Sequence, residues 1–192
     1  LAMQPGLKWV FFYETDNLLP NHDALKTAVA LLEAEPRLAG AGFTVEKING
    51  QKAGYGCAFP GAAGFVLGQQ LAARLHCDDM PLENWRTTPE GARWAPCDVV
   101  YTSPLLIRVA AWLDAGPMDA RLFPFTDSDL DLCWNFQRKG WGMAVLDLPG
   151  VIHDNDSTPS AWSGKRVLWF HQSRHRLLRK HLGRWVVFLK PL

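Results

Sequence analysis

Two short segments hold the residues best suited to chemistry. Asp127, Asp129 and Asp131 alternate within Phe125-Thr-Asp-Ser-Asp-Leu-Asp-Leu-Cys133, directly before a stretch with helical spacing. Negative charge is favoured at a helix N-terminus, so capping accounts for one or two of them. Three exceed what capping uses. Like charges this close raise the pKa of one carboxylate and suit it to accept a proton. Glu14 and Asp16 flank Thr15 just after the apolar run Trp9-Val-Phe-Phe-Tyr13. Ligands of α/β sheets bind beyond the carboxyl ends of strands, and two carboxylates there can share a hard divalent cation with phosphate oxygens. An ordinary helix N-cap region is the competing reading of that pair. His153, in Val151-Ile-His153-Asp-Asn-Asp156, follows a strand and the Pro149-Gly150 turn. A histidine there is a metal ligand, a phosphate contact or a structural residue.

The elements that must position these groups follow from periodicity. Trp9–Tyr13 reads as a strand covered on both faces, as in a parallel sheet. Pro20, Asn21 and Asp23 signal a helix start, and Leu25, Ala28, Val29 and Leu32 form its apolar face until Pro36. Leu38–Val45 is a strand diluted by Gly and Ala. Residues 46 to 97 are rich in turn signals, with a short helix at Gly64–Leu75, and suit a substrate-binding or lid region. Asp98–Arg108 reads as strand, turn, strand, and Val109–Asp114 as a short helix stopped by Gly116-Pro117. Leu130–Lys139 is a helix ended by Gly140, and Met143–Leu148 a strand. The alternation predicts one α/β domain over 1–164, then a basic amphipathic helix from Lys165 to Leu182 with an apolar tail, Trp185-Val-Val-Phe-Leu189, making up 165–192.

Charge and composition narrow the function. Hydrophobic residues make up 48% of the 192 residues and charged residues 20%, the balance of a folded domain. The net charge of +1 conceals an asymmetry: Lys165 onward carries eight Lys or Arg and no acid, leaving twelve basic and nineteen acidic residues before it, a net −7. A basic, apolar-interleaved helix fits an anionic membrane surface or packing on its own domain, and no motif supports nucleic-acid binding. Cys57, Cys77, Cys97 and Cys133 have neither zinc spacing nor the look of a disulfide framework, so a reducing compartment is the simpler expectation. No apolar run reaches the length of a membrane span. The location expected is cytoplasmic, with peripheral contact at the inner face of the membrane.

Taken in order, these segments resemble the family-2 glycosyltransferases of GT-A fold, in particular their rhamnosyltransferase-like bacterial branch. The resemblance is carried by Phe12-Tyr-Glu-Thr-Asp-Asn17, Pro20–Leu25, Leu105-Leu-Ile-Arg108, Gly116-Pro-Met-Asp119, Asp129-Leu-Asp-Leu-Cys-Trp134, Arg138-Lys-Gly-Trp141, His153 with Ser157-Thr158, and Arg176-Leu-Leu-Arg-Lys-His181. Each motif is moderately specific, and their collinearity over nearly the whole chain is the stronger signal.

The resemblance implies a GT-A-like mixed sheet flanked by helices. It implies an inverting transfer of sugar from a nucleotide-diphosphate donor to a glycan or lipid-linked acceptor, assisted by Mg²⁺ or Mn²⁺. Glu14 and Asp16 match the motif that holds the cation against the donor diphosphate, and His153 matches a histidine near the metal or the diphosphate. Asp129 matches the general base, Asp127 is its rival, and Asp131 supports the loop or the acceptor. Glu14 stands where the family usually has Asp, Ser128 where it often has Glu, and Thr102-Ser-Pro104 replaces a Gly-Ala turn. The family's strands for the nucleotide base precede the metal motif, whereas eight residues precede the first strand here. The chain is therefore expected to carry the C-terminal portion of such a domain. A non-catalytic binding or assembly module retaining part of the fold is the alternative expectation.

Overall fold

The computed structural model describes residues 6–77, 80–153 and 164–189. Within them the chain is mixed α/β. Strand β1 (Trp9–Phe12) leads through a tight loop to β2 (Asn17–Leu18), helix α1 (Asp23–Ala34) and β3 (Leu38–Phe43). The irregular middle contains β4 (Val45–Glu46), β5 (Lys52–Gly54), β6 (Gly56–Cys57), α2 (Ala62–Arg74), β7 (Arg86–Thr87), β8 (Arg93–Cys97) and β9 (Val99–Val100). Then come β10 (Leu105–Arg108), α3 (Val109–Ala115), α4 (Ser128–Arg138), β11 (Gly142–Asp147), β12 (Ile152–His153), α5 (Gly164–Leu182) and a 3₁₀ turn at Arg184–Phe188.

The main sheet has six strands in the order β1-β10-β3-β11-β8-β7. β3 and β11 are parallel, while β10 runs antiparallel to both β1 and β3. α1 covers one face, packing Ala28, Leu31 and Leu32 on Phe43, Leu106 and Leu146. The other face carries the larger core, where Ile107 and Val145 meet Leu132, Phe136, Leu177 and Leu178. This is a helix-sheet-helix sandwich around a two-sided sheet.

Several expectations change in the folded chain. β1 is an edge strand paired antiparallel with β10, and all four of its residues are only half-buried. Its continuous apolar run still has a physical cause, because Trp9 and Phe11 pack on the α1 side while Phe12 packs on the other. In α1 the buried stripe is Ala24, Ala28, Leu31 and Leu32, rotated slightly from the predicted face. β3 is buried at all six positions despite its small residues. A Cβ on Gly42 would lie 2.1 Å from a Val100 methyl carbon, so close packing requires glycine there. The boundary at 164/165 marks a change of charge but not of packing: Leu177, Leu178 and Val186 belong to the same core as Leu132 and Val145.

Candidate functional site

The end of the sheet where β1 and β3 finish gathers the acidic groups. Phe12 pairs with Leu105 and Leu105 with Gly42, so the loop after β1 leaves from the same edge as the loop after β3. That loop is stapled by Asn17, which is buried. The Glu14 N–H donates to Asn17 Oδ1 at 3.0 Å, the Asn17 N–H donates to the Glu14 carbonyl at 3.1 Å, and Tyr13 Oη donates to the Asn17 carbonyl at 2.6 Å. These bonds fix where the Glu14 and Asp16 side chains project. β12 then pairs with β2, setting His153 opposite Asn17.

Glu14, Asp16 and His153 consequently converge, each offering a ligand atom within 4.8 Å of the others. His153 Nε2 lies 3.4 Å from Asp16 Oδ2 without hydrogen-bond geometry. Asp16 Oδ1 and His153 Nε2 are both buried with no hydrogen-bond partner. Buried polar atoms normally find partners, so this geometry fits a cation bound between them. An imidazole nitrogen is a softer donor than Mg²⁺ prefers, and the mixed oxygen and nitrogen set fits Mn²⁺ better. Asp154, Asn155, Asp156, Ser157 and Thr158 lie outside the described residues.

The three aspartates of the acidic run separate into distinct environments. α4 descends to the tight turn at Lys139–Trp141 and β11 returns from it, so the α4 N-terminus lies toward the end of the sheet where β11 finishes. Asp127 precedes α4 in the left-handed conformation, φ 65°. Its side chain makes no cap; it is buried and accepts hydrogen bonds from Arg174 of α5, the nearer at 3.1 Å. The capping explanation of this residue therefore fails. Asp131 is fully buried between α4 and α5, 2.7 Å from His181 Nε2 and 2.8 Å from Lys180 Nζ. Burial alone would raise its pKa, but the His181 and Lys180 hydrogen bonds outweigh it and hold the carboxyl below its usual range. The His181 ring also stacks on Trp134, with centroids 4.5 Å apart. Nothing in the one-dimensional pattern indicated this clamp, because its partners lie on a helix some fifty residues away.

Asp129 differs from both. Burial pushes its pKa up to about 6, and the Asp127 charge adds to that rise. The Leu130 N–H and the Arg174 charge act in the opposite direction without cancelling it. A cavity of about 780 Å³ lies between α2 and α5; its walls include Tyr55, Phe65, Tyr101, Phe170, His171 and Arg174 but not Asp129 itself. The Tyr101 phenol is held above its usual range, first by desolvation and then by Cys57 and the Asp129 charge, although 42% of the residue stays exposed in the cavity wall. Asp129 thus sits within electrostatic reach of two cavity-wall residues, Tyr101 and Arg174. The residues 55–81 that line the cavity come from the segment expected to bind substrate. By contrast Cys97 and Cys133 are core thiols: burial raises both, Cys97 to about 12, which suppresses the nucleophilic thiolate.

No protein-family model matches the chain, and comparison with curated proteins finds no match.

Proposed function

We propose that the chain carries the catalytic portion of an inverting glycosyltransferase of GT-A type. The donor is a nucleotide-diphosphate sugar and the acceptor a glycan or lipid-linked hydroxyl. The observation that carries this reading is the convergence of Glu14 and Asp16 with His153, far apart in the chain, with two buried polar atoms lacking partners among the described residues. The collinear motifs and the mixed sheet with helices on both faces support it.

The roles follow from local chemistry. Glu14, Asp16 and His153 would hold a divalent cation, which when bound neutralises charge developing on the departing diphosphate. Asp129 takes the proton from the acceptor hydroxyl as that oxygen forms its bond to the anomeric carbon and the bond to the diphosphate oxygen breaks. The raised pKa favours Asp129 over Asp127, whose charge is engaged by Arg174. Asp131 has its oxygens committed to His181 and Lys180 and acts as a positioning residue for α4. The cavity, rich in aromatic rings and bounded by Arg174, is the acceptor site in this reading.

Calorimetric titration of UDP, GDP and dTDP into the full chain tests the metal and donor assignments together. One nucleotide is expected to bind with Mn²⁺ and not in EDTA. Asp16→Ala and His153→Ala should each weaken that binding by about tenfold or more, since even outer partners of a metal site are worth that much. Binding that is indifferent to metal, or unchanged in both variants, would sink the assignment.

A further inference from the structure

Apart from Arg166, which lies over the Phe125 ring at 5.7 Å, the cations of α5 and the turn after it divide into two sets. Arg174 and Lys180 point inward, to Asp127 and to Asp131. Lys165, Arg176, Arg179 and Arg184 are exposed and have no ion-pair partner among the described residues. At 100° per residue, Arg179 falls nearly opposite the buried arc of Ser173, Leu177, Leu178 and His181, with Lys165 and Arg176 on the exposed flank nearer Ser173. Leu168 is exposed on that outer side and Trp169 at its margin, and the 3₁₀ turn that follows α5 exposes Trp185, Val187 and Phe188, the last to 83%. Phe125 extends the patch by stacking edge-on against Trp169 at 5.3 Å.

Exposed large apolar side chains interleaved with exposed cations along α5 and the turn after it are costly to leave in water and suit an interface that is both oily and anionic. No described helix is long and apolar enough to cross a membrane, so this helix would lie on the surface. A nucleic acid fits less well. Trp169, Trp185 and Phe188 could stack on bases, but the exposed aliphatic Leu168, Val187 and Leu182 have no such role and favour a bilayer.

We propose that the outer face of α5 and the 3₁₀ turn form a docking surface for an anionic lipid bilayer, with the cavity-lining side of α5 left facing the domain. This stands whether or not the chain transfers sugar. The full chain is sedimented with phosphatidylglycerol-containing vesicles and with neutral phosphatidylcholine vesicles, at low and high salt. Binding is expected only to the anionic vesicles and weakening with salt. Each cation removed should cost about fivefold, so K165Q/R176Q/R179Q should lose on the order of a hundredfold. All three positions are exposed, and circular dichroism checks their folding. W169S/F188S should also bind more weakly, from loss of the apolar contact. Absence from the anionic pellet at low salt, equal binding to neutral vesicles, full binding by the triple variant, or displacement from vesicles by a single-stranded oligonucleotide would each overturn the proposal.

Discussion

Replacing Asp129 by Asn is expected to lower turnover by about 10²–10⁴-fold, the usual contribution of a positioned general base. The full chain would be assayed for nucleotide-diphosphate release from a panel of donor sugars, with a cell-envelope glycolipid extract as acceptor. The pH profile separates loss of a base from loss of structure. A base works only when ionised, so with a pKa of about 6 the native kcat/KM should climb tenfold per pH unit from below and level off above that value. Asp129→Asn should abolish this limb. Asp127→Asn should move it to lower pH, because it removes the neighbouring negative charge and frees Arg174 to act on Asp129. Stability should follow the opposite logic. A carboxyl whose folded pKa is raised stabilises the fold below its unfolded value and loses that contribution as pH rises through about 6. At pH 7 the Asn variant should therefore be no less stable than the native chain. A folded Asp129→Asn protein that keeps its turnover, or that keeps the limb near pH 6, removes Asp129 from the reaction.

The second large effect is on folding. Asp131→Ala should reduce unfolding free energy by about 3–5 kcal/mol, because it strands partners of a buried carboxylate. Lys180 retains some solvent access, which favours the lower end of that range. His181 has none, and the loss also loosens its stack on Trp134, which in turn stacks on Phe59 at 4.7 Å. Here the folded pKa lies below the unfolded value of 3.8. The stabilisation is thus complete above that value and lost as pH falls through the depressed one. Denaturant titration should show a large difference between variant and native chain at pH 7 that narrows at pH 3. A difference below about 1 kcal/mol at pH 7, or one of equal size at both pH values, would show that the clamp does not hold α4 to α5.

These two neighbours illustrate how unlike environments arise from like residues. Asp129 and Asp131 are two positions apart, yet one is pushed toward neutrality and the other is held ionised. Two positions on a helix differ by about 200° around the axis. Asp131 therefore points into the α4–α5 contact while Asp129 does not. Sequence alone placed both on one acidic run and could not divide them, because the dividing partners, Lys180, His181 and Arg174, lie on a distant helix.

The chain's periodicities determined most of its elements. The α1, α3, α4 and α5 segments, β3 and β11 all follow from apolar spacing and from breakers such as Pro36, Gly116 and Gly140. The acidic pair after the first strand and the histidine beyond the Met143–Leu148 strand and its Pro149-Gly150 turn were visible for the same reason: strand ends are local features. Tertiary structure alone decided that β1 is an antiparallel edge strand, that β8 continues the sheet beyond β11, and that β12 pairs with β2 to bring His153 beside Asp16. It also decided which acid is clamped, which is desolvated and which faces a cation. Those outcomes depend on contacts between residues far apart in the chain, and a one-dimensional pattern of apolar and polar residues records local repeat but not which distant partner fills each space.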